Sequence, residues 1–148
     1  MKLSRTEREA LRMKFGGFCA YCGIALDGKW HADHVEPVER VTAPVPKSSG
    51  HGYEMTKAGF TKFRATGKLR NPQNHRQANY FPACVSCNIL KSNANVEGFR
   101  TMLSYFAESI PTIRTYSHVH HLMRFGKLTI DTSPVVFWFE KWQTESGK

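Results

Sequence analysis

Asp33 and His34 stand side by side, and Asn79 and Asn88 follow with eight residues between them. These side chains suit the hydrolysis of a phosphate ester. A histidine titrates near neutrality, so its free ring nitrogen can take a proton from water at pH 7. A carboxylate and an amide carbonyl together offer oxygen ligands to a hard divalent cation, and Asp33 and Asn88 supply that pair. Water and phosphate oxygens would fill the rest of the ion's shell. His31 lies two residues before Asp33 on the same strand face and is a possible further ligand.

The four cysteines form two Cys-x-x-Cys pairs, Cys19/Cys22 and Cys84/Cys87. Four thiolates match a tetrahedral structural zinc. A thioredoxin-like redox pair would need a βαβ context that neither pair has. Disulfides need an oxidising compartment. The N-terminus, "MKLSRTEREALRMKF", is charged throughout and has no apolar run for a signal sequence or membrane span. The expectation is an intracellular, cytoplasmic protein, in the host cytoplasm if phage-encoded, with zinc on Cys19, Cys22, Cys84 and Cys87. The ion would clamp the 61 residues between the pairs.

A chain of 148 residues, 41% hydrophobic, can bury one core. "LSRTEREALRMKF" reads as a helix opened by a Ser4/Glu7 capping box and closed by Gly16-Gly17. "KWHADHVEPV" and "NYFPAC" read as short strands. "VSCNILKSN" begins a helix. "NVEGFRTMLSYFAES" is a stronger helix, capped by Asn95, with Phe99, Met102, Leu103 and Phe106 as its core stripe. "TIRTYSHVHHLMRF" is a further helix. His118 and His121 share a face of it, and with His120 they suit a surface or DNA-facing helix. "KLTI" and "VVFWFEKW" suggest a hairpin across "DTSP", although Ser133-Pro134 is also a good helix start. Residues 41–78 show no helix or strand period and read as one long loop.

Net charge is +9, and the stretch 41–78 alone carries seven cations and one anion. In it Lys57, Lys62, Arg64, Lys68 and Arg70 alternate with Phe60 and Phe63. The composition suits phosphate contacts with base stacking. A solvated loop with both phenylalanines tucked inside is the plainer reading. Lys91 suits either a phosphate contact or a solvated helix position.

In combination, "DHVEP", Asn79, "CVSCN", Lys91 and the earlier "CAYCG" resemble the HNH endonucleases of the ββα-metal fold. The spacing Asn-x8-Asn-x2-Lys also resembles the HNH domain of the CRISPR effector nucleases. The matching motif covers about a third of the chain; the remainder is only loosely similar to phage, homing or restriction types. The resemblance implies His34 as general base, and Asp33 and Asn88 as ligands of a catalytic Mg2+ or Mn2+. It also implies that Asn79 braces the loop carrying His34 and that the zinc does no chemistry. The third motif residue is Asn88 where many members have histidine, which shifts metal preference toward hard ions. Asp33 and His34 are adjacent, so a regular strand would send them to opposite faces unless it ends there.

The expected fold is α+β: one domain over 1–148, with a zinc-stapled HNH core at 16–95. Its basic loop is 41–78, and a helical and hairpin extension covers 96–148. The expected partner is DNA, double-stranded, with no membrane. The pattern suits a nicking monomer and a double-strand-cutting dimer alike. The alternatives are a zinc-stapled nucleic-acid-binding module with a degenerate site, and a ribonuclease or toxin-type nuclease.

Overall fold

A computed structural model describes residues 3–113 and 117–146. Its architecture is mixed α+β, with two separate two-stranded sheets. Helix α1 (Arg5–Arg12) begins at the anticipated capping box. Ser4 Oγ accepts from Glu7 N–H, and the Glu7 carboxylate accepts from Ser4 N–H at 2.8 Å. A 3-10 turn, Met13–Phe15, follows and ends at Gly16, whose φ is 67°. A Cβ there would also lie 2.6 Å from the Trp142 ring, so glycine serves both the turn and the close approach.

Strands β1 (Trp30–His34) and β4 (Tyr80–Cys84) pair antiparallel, with His34 opposite Tyr80 and Trp30 opposite Cys84. Helix α2 (Val85–Lys91) leaves β4 without a break and packs on both strands. Between β1 and β4 the chain makes a long excursion. It is not the unstructured loop anticipated: β2 (Arg40–Pro44) and β3 (Phe63–Leu69) pair antiparallel as a ribbon. Bridges Pro46 to Tyr53 and Met55 to Thr61 extend it. Val45 N–H donates to Lys62 O, Lys62 N–H to Glu54 O and Glu54 N–H to Val45 O, closing a ring of backbone bonds. Six of the seven β3 residues are exposed, so no apolar alternation marks the strand in sequence.

Helix α3 (Val96–Ser109) is capped as anticipated by Asn95, whose side chain accepts from Gly98 N–H at 2.8 Å. Phe99 is buried, and Met102 and Leu103 pack against the core. Phe106 is 38% exposed and does not join that stripe. Helix α4 (Ser117–Arg124) matches part of the next expected helix; positions 114–116 lie outside the described residues.

The anticipated C-terminal hairpin is absent. Residues 127–137 form no strand, and Trp138–Ser146 is helix α5. The cause is tertiary. The first amides of α5 need acceptors. Trp138 N–H finds Tyr21 O, Phe139 N–H finds Ala20 O, and Phe137 N–H finds the Glu140 carboxylate at 2.7 Å. Arg100 clamps the entry by bonding Glu140 and the Val135 carbonyl and lying over the Phe137 ring. One core results, in which Tyr21 meets Phe99 and Phe137 edge-on, each at 5.4 Å.

Candidate metal centre and the adjoining cleft

The four cysteine sulfurs lie within 4.8 Å of one another. Cys22 and Cys84 Sγ are 3.8 Å apart. Zinc–sulfur bonds of about 2.3 Å in a tetrahedron put sulfurs roughly 3.8 Å apart, so the cluster has the dimensions of a zinc site. Backbone amides turn toward sulfur in the second knuckle: Cys87 N–H donates to Cys84 Sγ, and Cys84 N–H donates to Cys19 Sγ. Hydrogen bonding from Cys87 and then from backbone amides brings the Cys19 thiol down to about 4, against the cost of burial. Burial, with the charge on Cys19, pushes Cys22 up to about 11. Cys87, which donates to Cys19, is raised as well. One thiolate thus opposes the ionisation of its neighbours, and a bound cation relieves that conflict. These four residues form a site able to hold a structural metal such as zinc.

Beside the knuckles sits a buried polar triad that sequence reading missed. Asp33 Oδ2 accepts from the Tyr21 hydroxyl at 2.5 Å and pairs with Lys91 Nζ at 3.0 Å. Lys91 also donates to the His34 carbonyl at 2.7 Å. Lys91 is only 1% exposed, which corrects its expected place at a DNA phosphate: an ammonium sealed inside the core cannot reach one. Burial raises the Asp33 carboxyl, against the pull of Tyr21 and Lys91.

β1 ends at His34. Asp33, His34 and Asn88 line one pocket of about 470 Å³, together with Arg40, Ser92 and Asn93. A second pocket of about 680 Å³ shares Ala32, His34 and Asn88 and adds Arg8, His31, His75 and Tyr80. Asn88 Nδ2 donates to His31 Nδ1 at 2.9 Å, which leaves its Oδ1 without a protein hydrogen bond among the described residues. Asp33 and Asn88 thus line one pocket. His31, two residues from Asp33, holds Asn88 in place.

Asn79 is not in the cleft. Its Oδ1 accepts from Glu36 N–H, and its Nδ2 donates to Glu36 O and Asn74 O, each within 2.9 Å. Its own carbonyl accepts from Val35 N–H. It thereby ties the exit of β1 to the entry of β4. His75, next to Asn74, reaches the His34 ring. Nothing local in "RNPQNHRQ" marks His75; only the folded excursion brings it there.

The basic residues Lys57, Lys62, Arg64, Lys68 and Arg70 are all exposed, and none of them lines either pocket of the cleft. Lys62 pairs with Glu54, and Arg70 pairs with Glu39. Phe60 and Phe63 are 71% and 58% exposed, so neither is tucked away. The ribbon base adjoins the cleft through Arg40, which lines the pocket beside Asp33. Among the described residues, the cysteines are the only His/Cys/Asp/Glu group arranged to hold a metal, and His120 instead contacts Ile110 O. No helix among them is long and apolar enough to cross a membrane.

No protein-family model, curated protein or solved structure matches this chain.

Metal removal should unfold the knuckles, because ligand binding and folding are one event at such sites. A strong chelator is expected to abolish the cooperative thermal transition, and zinc to restore it. An unchanged melting curve in metal-free protein would exclude a structural ion. Lys91→Met should cost about 3–5 kcal/mol in urea denaturation, because it strands the Asp33 carboxylate in the core. Adding Asp33→Asn should recover part of that loss. A single-variant cost under about 1 kcal/mol would mean that the pair is not buried in solution.

Proposed function

We propose that the chain is a metal-dependent endonuclease of the HNH kind, hydrolysing phosphodiester bonds in DNA. The observation that carries this reading is the order strand, strand, helix with His34, Asp33 and Asn88 brought to one pocket. His34 is the general base. Half-buried at the mouth of the cleft, it packs at a tilt against the Tyr80 ring, centroids 4.6 Å apart. Its backbone is held by Lys91 at the carbonyl and by the Val35–Asn79 bond one residue on. A base so fixed can take a proton from a water lying in line with phosphorus. Asp33 and Asn88 would hold Mg2+ or Mn2+ through side-chain oxygens, and the bound ion would supply positive charge for the phosphate and its departing oxygen. Asn79 is a positioning residue. The zinc held by the cysteines stabilises the frame and does no chemistry.

DNA is the substrate class that the charge favours. The ribbon presents Lys57, Arg64 and Lys68, which make no ion pair among the described residues, beside the exposed Phe60 and Phe63 rings. A two-stranded ribbon is narrow enough for the major groove. The engagement of Asp33 with Tyr21 and Lys91 favours one rival, a zinc-stapled DNA-binding module with no catalytic ion.

Supercoiled plasmid with Mg2+ or Mn2+ separates the two. The intact protein should nick or linearise it, and His34→Ala should lower the rate by roughly 10²–10⁴-fold. Equal cutting by both proteins, or none by either, would remove His34 from the chemistry. Burial holds His34 below its ordinary value of 6.5, so the neutral, proton-accepting form prevails at pH 7. Cutting should decline only as pH falls below that value; a rate still rising at pH 5 would argue for another base.

Replacing Lys57, Arg64 and Lys68 with alanine should weaken DNA binding and reduce the salt slope by about 0.9 for every phosphate that is no longer neutralised. Lys62 and Arg70, already held by Glu54 and Glu39, should contribute less. An unchanged slope in the triple variant would place the ribbon outside the interface.

A further inference from the structure

His34 Nε2 and His75 Nδ1 are 3.0 Å apart. The ring centroids are 5.3 Å apart and the planes differ by 32°. That separation is the nitrogen–nitrogen contact plus one ring radius at either end, so the two nitrogens face each other in line. In-line geometry is that of a hydrogen bond. Two imidazoles on one metal ion would instead aim their lone pairs at a common point to one side. The pair therefore shares one proton.

Two arrangements are possible. In one, both rings carry the proton on Nε2, the tautomer that a free histidine side chain prefers, and His34 donates to His75. In the other, both carry it on Nδ1, the less stable form, and His75 donates. The first costs no tautomer energy in either ring. The single lone pair of His75 Nδ1 then goes to the His34 N–H, and the Tyr80 hydroxyl, 3.5 Å away, lies farther off. This arrangement bares the lone pair of His34 Nδ1, which makes no hydrogen bond among the described residues. His75 is itself held. Its N–H donates to Pro72 O, and the preceding Asn74 is bonded to Pro37 O and to Asn79.

We infer that His75 is a positioning residue: it accepts the Nε2–H of His34 and thereby aims a bare Nδ1 at the cleft. This rests on the reading of His34 as the proton acceptor, and it supplies what that reading lacks, a group that orients the base. A chain with this pair keeps one ring nitrogen for its own fold and one for the water.

The tautomer can be read directly from long-range 1H–15N spectra of the full-length, zinc-loaded protein labelled at histidine. In the wild type, His34 should show a protonated Nε2 and a bare Nδ1. His75→Ala should move the His34 signals toward a mixture of tautomers and lower kcat on plasmid by about tenfold to a hundredfold, with KM changed less than about twofold. His75→Asn, whose amide oxygen can accept the same N–H, should recover most of the rate. A protonated Nδ1 on wild-type His34 would overturn the inference even if no variant folded, as would His75→Ala with kcat within about twofold of wild type. Failure of the base assignment shows separately, as full cutting by His34→Ala.

Discussion

A carboxylate buried in an apolar core is tolerated only when charge and hydrogen bonds compensate it, and Asp33 meets that condition with groups from two other parts of the chain. Tyr21 comes from the first cysteine knuckle and Lys91 from the last turn of α2. Their three-way contact joins knuckle, β1 and α2 at one point, and through Lys91 it also holds the carbonyl of His34. Any shift of α2 along the strands would break that ion pair. The cleft inherits its rigidity from that buried charge. A lysine three residues after Asn88 reads in sequence as an outward cation, because spacing along a short helix does not say which face the core will cover.

The first knuckle has a second structural duty. Its carbonyls at Ala20 and Tyr21 accept from the opening amides of α5, so the turn that gathers sulfur also starts the terminal helix. Gly23 makes this possible: with φ at 72° it keeps the chain tight, and a Cβ there would lie 3.0 Å from the Trp138 ring. The aromatic run Phe137–Trp138–Phe139 is then read by tertiary acceptors and not by its own β propensity. Phe137 enters the core and stacks on Phe99 at 5.5 Å, while Trp138 lies against Phe18 at 5.3 Å.

What was legible in the sequence was local. The Ser4/Glu7 box, the Asn95 cap and the start of α2 rest on bonds within a few residues, and the two strands, though they pair with each other over a long excursion, carry their own local pattern; each is found where that pattern places it. The α+β class and the cysteine cluster follow from the same short-range signals. The ribbon was invisible because both its faces meet water, so β3 has no buried face to impose alternation. Phe106 has the right helical spacing for the core stripe but is left half-open at the far end of α3. His75 owes its place to a long excursion between paired strands, and Tyr21 owes its place to a knuckle. Neither leaves a spacing that can be counted.

Adjacency of Asp33 and His34 poses a problem that the fold resolves by division. On a strand, neighbours point apart. Asp33 turns inward and gives one oxygen to the core, while His34, the last residue of β1, lies against Tyr80 at the rim. The strand must stop there for both to reach one pocket. Beyond it Val35 and Glu36 bond to Asn79 at the entry of β4, with the Asn79 side chain in place of further strand pairing. Asn79 therefore shapes the cleft without entering it. The same amide, through Asn74, sets where His75 stands. One buried asparagine thus governs both the backbone that carries the proposed base and the ring that meets it, so the spacing between Asn79 and the Asp33-His34 pair matters less than the bonds it makes on arrival.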